Sequence, residues 1–170
     1  MHLIEYKMKE IVFVRHAKSS WDGGFSDLDR PLSTRGINDI KLVSNHYKPY
    51  NYMPDMVFSS PANRAFTTCK GVMAYLNLPE NKLKIVDDLY DFGGEKVMSF
   101  IRSINGKSID KIMIFGHNHA LTSIVNDLGD QFIGNLPTCG LVKIDFYAEE
   151  WKFIAKGHTD VMIFPRDLKP

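Results

Sequence analysis

Residues Ile11 to Trp21 read IVFVRHAKSSW, and this stretch decides how the rest of the chain is read. Ile11-Val12-Phe13-Val14 is a continuous apolar run, mostly β-branched, of the kind a strand buried on both faces requires. It ends directly on Arg15 and His16. Open α/β sheets bind ligands just beyond the carboxyl ends of their parallel strands. A guanidinium fork and an imidazole at such an end suit a phosphoryl group.

Working outward, the same alternation of strand, loop and helix recurs. DGGFSDLDRPLSTRG (22–36) is a loop by its Gly, Asp, Ser and Pro content, and Ser33 or Thr34 can cap the helix that follows. Ile37, Ile40, Val43 and Tyr47 give that helix an apolar stripe that stops before Pro49. Met56-Val57-Phe58 is a second strand, running into Ser59-Ser60-Pro61, and Ala62 to Leu76 a second helix. Leu83 to Val86 is a third strand, leading into DDLYDFGGE, and Glu95 to Ile104 a helix closed by Asn105-Gly106. Lys111 to Phe115 is the fourth strand, stopping at Gly116-His117-Asn118, with a helix over Leu121 to Leu128. Leu141 to Tyr147 and Trp151 to Ala155 are expected to form an antiparallel hairpin, and no periodicity is assigned to the tail. The pattern predicts an α/β fold: a three-layer sandwich with a mostly parallel central sheet and helices on both faces.

Bulk properties narrow the function classes. The 170 residues fit one domain, with Met1 to Lys7, just before Met8, as a dispensable leader or alternative start. A formal net charge of +1 gives no reason to expect a nucleic-acid or membrane partner. No apolar run reaches membrane-spanning length. Cys69 and Cys139 form no CxxC pattern; they are expected to be reduced, buried thiols of a cytoplasmic protein rather than zinc ligands. No metal or other cofactor is expected.

If the first, second and fourth strands are parallel neighbours, Arg15, His16, Arg64 and His117 converge on one crevice. Two guanidinium forks match phosphate oxygens, each charge-assisted bond contributing about 1.5–3 kcal/mol. The helix starting near Ala62 could add backbone N–H groups. Asn118 is a candidate phosphate ligand or a helix cap.

These motifs resemble those of the histidine phosphatase superfamily, which also contains the phosphoglycerate mutases. Arg15-His16-Ala17 resembles its Arg-His-Gly hallmark, with alanine in place of glycine. DRPLSTRG (29–36), SSPANRAFTT (59–68) and GHN (116–118) resemble three further motifs in the same order. The compact length and the RPLS segment are most similar to the SixA-type phosphohistidine phosphatases. The resemblance implies a phosphoglycerate mutase-like fold and His16 as a nucleophile that becomes phosphorylated. It further implies Arg15 and Arg64 as phosphoryl clamps and His117 as a transition-state stabiliser, all without a metal. The family's general acid has no clear counterpart; Asp87, Asp88, Asp91 and Glu95 are candidates, with Asp22 as an outsider, and Asp91 is preferred. The expected substrate is a protein-borne phosphohistidine. A small phosphorylated metabolite is the alternative substrate, and a non-catalytic phospho-ligand binding module the alternative function.

Overall fold

The computed structural model describes residues 8–170, so the proposed leader lies outside the described residues. Among the described residues six strands form one sheet in the order β3-β2-β4-β1-β5-β6. The strands are β1 (Met8–Arg15), β2 (Met56–Ser59), β3 (Leu83–Ile85), β4 (Lys111–Gly116), β5 (Leu141–Tyr147) and β6 (His158–Ile163). The first four run parallel; β5 and β6 are antiparallel additions beside β1. Helices α1 (Thr34–Tyr47), α2 (Asn63–Tyr75), α3 (Glu95–Ser103), α4 (Ala120–Leu128) and the short α5 (Pro165–Leu168) cover it.

The apolar run of β1 is continuous because both of its faces are covered. Ile11 and Phe13 pack toward Val97 and Ile101 of α3 and Leu121 and Ile124 of α4. Val12 and Val14 face the other way, toward Ile40 and Val43 of α1 and Val72 and Met73 of α2. Alternate side chains of a strand point to opposite faces, so one strand supplies both cores of the expected sandwich. Parallel register with β4 pairs Ile11 with Ile112 and Arg15 with Gly116, which brings the Arg15-His16 and His117 junctions side by side.

Local signals explain the helix ends. Ser33 caps α1, its side chain accepting from the Gly36 amide at 3.1 Å. Gly36 is required there: a Cβ would lie 2.2 Å from the Lys18 carbonyl oxygen, so the start of α1 can press against the loop after His16 only without a side chain. Two expectations fail. Ile37 is not part of the buried stripe of α1 but exposed, the inward positions being taken by Gly36, Asp39, Ile40, Val43, Ser44 and Tyr47. Trp151 to Ala155 is not the second strand of the hairpin. Trp151 is buried and donates from Nε1 to the Ile109 carbonyl at 2.7 Å, which pins residues 151–153 as a 3₁₀ turn. The partner of β5 is instead β6, where Thr159, Val161 and Ile163 alternate inward.

Candidate active site

Three strand ends build one cleft. Arg15 closes β1 and His16 follows it; Gly116 closes β4 and His117 follows it; Arg64 sits in the first turn of α2 just after β2. Backbone bonds lock these junctions together. The His16 amide donates to the Gly116 carbonyl at 3.0 Å and the Ser60 amide to the Phe115 carbonyl at 3.0 Å. The Ala17 amide donates to Thr68 Oγ1 at 2.9 Å, and that hydroxyl donates to the Arg64 carbonyl at 2.6 Å. The resulting cleft of about 330 Å³ is lined by Arg15, His16, Arg64 and His117, together with Lys18, Asp27, Arg30, Trp21 and Phe92.

The two histidines are held neutral. His16 is driven down to about 4, first by burial and then by the charges of Arg64, Arg15 and Arg30, against the raising effect of its bond to the Ala17 carbonyl. His117 is driven to about 3 by burial, then by His16 and Arg64. Their rings lie 5.3 Å apart between centroids. His16 Nδ1 lies 2.8 Å from the Ala17 carbonyl oxygen, which can only accept, so the proton is on Nδ1 and the lone pair on Nε2. A neutral imidazole so fixed can attack phosphorus. His117 Nε2 is hydrogen-bonded to Ser60 Oγ at 2.8 Å, and its Nδ1 is buried with no hydrogen-bond partner.

Because the folded-state values lie below the ordinary 6.5, an unfolded chain binds protons at these histidines before the folded one does. Stability is therefore expected to fall as pH is lowered through 6.5 toward 4, and to be insensitive to these groups above 6.5. The His16 imidazole resonance in an NMR titration should have its midpoint near pH 4; a midpoint near 6.5 would contradict the buried, arginine-flanked setting.

Among the lining residues four cations face one carboxylate, Asp27. Sequence reasoning missed this residue. Its Oδ2 accepts from Arg64 Nη2 at 3.1 Å and from the Tyr90 hydroxyl, and its Oδ1 from Arg30 Nη2 at 3.2 Å. Its main-chain carbonyl takes Arg64 Nη1. The Tyr90 bond, followed by Arg64 and Arg30, holds the carboxyl at about 2. At neutral pH it is an anion with no proton to give.

Asp91, the preferred acid, is not among the residues lining the cleft. Its Oδ2 accepts from the amides of Gly94, Lys96 and Val97 at 3.0–3.2 Å, so the carboxylate caps α3. Asn118 lines the cleft, but its amide is spent. Nδ2 donates to Asn135 Oδ1 and the Leu136 carbonyl, and Oδ1 accepts from the amide and hydroxyl of Thr122. Two amides at the start of α2 are spent as well: the Ala62 amide goes to Ser60 Oγ and the Asn63 amide to the Leu28 carbonyl.

Comparison with known proteins agrees with this geometry. The family model of the histidine phosphatase superfamily (branch 1) matches residues 11–93, the span that carries β1, the RPLS loop and α2. That match covers just under half of the chain and includes Arg15, His16 and Arg64. The chain is 25% identical over 120 residues to the phosphohistidine phosphatase SixA of Escherichia coli, covering 70% of this chain and 73% of that protein. A solved structure of the protein histidine phosphatase SixA with tungstate superimposes with a TM-score of 0.78 at 22% identity, over 94% of this chain and 99% of the other. The fold is shared more widely. A putative α-ribazole-5'-P phosphatase from Escherichia coli superimposes with a TM-score of 0.67 at 16% identity, over 92% and 97% of the two chains. The six-stranded mixed sheet with its helices thus has the phosphoglycerate mutase-like fold expected from the sequence.

Proposed function

We propose that the chain is a metal-independent phosphatase that works through a covalent phosphohistidine on His16, with a protein-borne phosphohistidine as substrate. The observation that carries this reading is the state of His16: neutral, deprotonated at Nε2, and surrounded by the guanidinium groups of Arg15, Arg30 and Arg64. In the first step Nε2 attacks phosphorus and the bond from phosphorus to the substrate's imidazole nitrogen breaks. The proton stays on Nδ1 against the Ala17 carbonyl, so the phosphorylated His16 ring is cationic and remains a good leaving group. In the second step water attacks, the bond from phosphorus to Nε2 breaks, and neutral His16 is regenerated as the proton from water passes to solvent. Arg15 and Arg64 hold the phosphoryl oxygens, and His117 stabilises the charge they gain in the transition state. These cations supply the neutralisation that a metal ion provides elsewhere, so chelation by EDTA is expected to leave the rate unchanged.

The substrate class follows from the acid. Among the described residues Asp27 is the only carboxylate lining the cleft, and it is held ionised by Tyr90, Arg64 and Arg30. An alkyl ester leaves as an alkoxide and needs a proton from the enzyme. A phosphorylated imidazole leaves as a neutral ring once solvent has protonated its far nitrogen, and needs none. A cytoplasmic setting goes with this reading, since both cysteines are free and buried; no helix among the described residues is long and apolar enough to cross a membrane.

The test is turnover of a phosphohistidine-bearing protein beside p-nitrophenyl phosphate and a panel of alkyl phosphates, with EDTA present. We expect release from phosphohistidine at least about 100-fold faster than from any alkyl ester, the range a missing general acid accounts for. A metabolite ester turned over as fast would make this a small-molecule phosphomonoesterase. Phosphate binding without turnover of any substrate would make it a binding module.

A further inference from the structure

Besides Arg15 and Arg64, the cleft holds a third arginine. Arg30 comes from the loop between β1 and α1 and is only 6% exposed. Its Nη1 donates to Ser19 Oγ and its Nη2 to Asp27 Oδ1, while its guanidinium carbon lies 3.6 Å from the centre of the exposed Trp21 ring. Its Nε is buried and has no hydrogen-bond partner among the described residues, and the same holds for the Nε atoms of Arg15 and Arg64. A buried arginine of purely structural purpose ordinarily ends on a carboxylate of its own, because an uncompensated buried charge is costly. Arg30 has no such carboxylate. Asp27 is shared between Arg30, Arg64 and the Tyr90 hydroxyl, and its side chain is 44% exposed. Among the described residues Arg15 has no carboxylate partner; its Nη1 goes to the Leu136 carbonyl.

We infer that Arg30 is a third phosphoryl ligand, placed by Ser19, Asp27 and the face of Trp21 so that three guanidinium groups receive one phosphoryl group together with His16 and His117. This rests on the phosphatase reading and deepens it. A phosphoryl group in transfer spreads its charge over three equatorial oxygens, and three guanidinium groups around it favour that arrangement over the tetrahedral ground state. Asp27 acts on this set as a positioning residue. It takes Nη2 of Arg30 on its carboxylate and both Nη atoms of Arg64, one on its carboxylate and one on its main-chain carbonyl, and leaves the Nε–H of both groups for the substrate.

The experiment is calorimetric titration of Arg30→Gln, Arg30→Lys and Arg64→Gln with inorganic phosphate and with orthovanadate, whose trigonal-bipyramidal adduct with His16 stands in for the transition state. Losing one charge-assisted ligand should weaken vanadate binding roughly 10- to 100-fold in Arg30→Gln. Phosphate binding should weaken less. Arg30→Lys should recover part of the phosphate affinity but little of the vanadate affinity, because a lysine offers a point charge without the planar fork. If Arg30→Gln binds both anions as the unsubstituted protein does while Arg64→Gln loses them, Arg30 is a strut for the loop, and the inference falls while the phosphatase reading stands. If neither variant loses affinity, both fall. Should the Arg30 variants fail to fold, the Arg30 Nε–H resonance of the unsubstituted protein decides. A shift on adding phosphate supports the inference, and an unmoved resonance while the Arg64 signal moves overturns it.

Discussion

His16→Ala is expected to lower turnover of phosphohistidine by roughly 10⁵-fold or more, the scale seen when a covalent nucleophile is removed, while phosphate affinity changes only a few-fold. The split follows from which groups do which task. In the proposed mechanism binding belongs to the guanidinium groups of Arg15, Arg30 and Arg64 and to His117, none of which needs His16 to stay in place. Arg15 is held by the Leu136 carbonyl, Arg64 by Asp27, and His117 by Ser60. In the same mechanism bond making belongs to Nε2 of His16, for which alanine offers no substitute. The covalent step has its own readout. With the native residue, quenching in base during turnover should trap a phosphoryl group on the peptide containing His16, since phosphohistidine survives base and not acid. The alanine variant should trap none. Full turnover by His16→Ala would mean that the nucleophile is another group.

Much of this site was legible because strand ends carry their chemistry in contiguous sequence. The run into Arg15-His16 and the run KIMIF into Gly116-His117 each combine an unambiguous buried strand with residues that no core strand ends on without cause. Asp27 was not legible. It lies in a loop rich in Gly, Ser and Asp, beside Asp22 and Asp29, and its partners Arg64 and Tyr90 are 37 and 63 positions away. Only the packing of that loop against the start of α2, through the bond from the Asn63 amide to the Leu28 carbonyl, selects one aspartate from three. Asp91 shows the reverse. A carboxylate after a strand and before a helix reads equally as an acid or a cap, and the Gly93-Gly94 that follows lets the chain turn so that its oxygens meet the first amides of α3. The misplaced second strand of the hairpin has a similar origin. Trp151-Lys152-Phe153-Ile154 is more apolar than HTDVMI, but the indole N–H finds its acceptor only in the folded state. The true strand carries a period-two signal in Thr159, Val161 and Ile163 that its polar and Met positions dilute.

Arg64→Gln is expected to lower kcat/KM by roughly 10²- to 10³-fold, the range for removing one oriented charge from a transition state, while changing the melting temperature by only a few degrees. Arg64 is 2% exposed, and at first sight a buried ion pair is being broken. Two features limit the structural cost. The carboxylate left behind is half-exposed and keeps Arg30 and the Tyr90 hydroxyl as partners, so it is not stranded without compensation. Arg15, whose guanidinium is destabilised by burial and next by the charge of Arg64, is relieved when that charge goes. Arg64→Lys should restore only part of the rate, because an ammonium cannot hold the Asp27 carbonyl and carboxylate and also present a planar edge to the phosphoryl oxygens. A titration separates an electrostatic role from a steric one. Arg64 contributes to holding both His16 and His117 neutral, so in Arg64→Gln their imidazole midpoints should rise from about 4 and about 3 toward 6.5. A variant that loses stability but keeps its rate and its histidine midpoints would reduce Arg64 to a strut between α2 and the loop that carries Asp27. A variant that loses rate with the midpoints raised and the fold intact is the outcome that the uncompensated charge of this cleft requires.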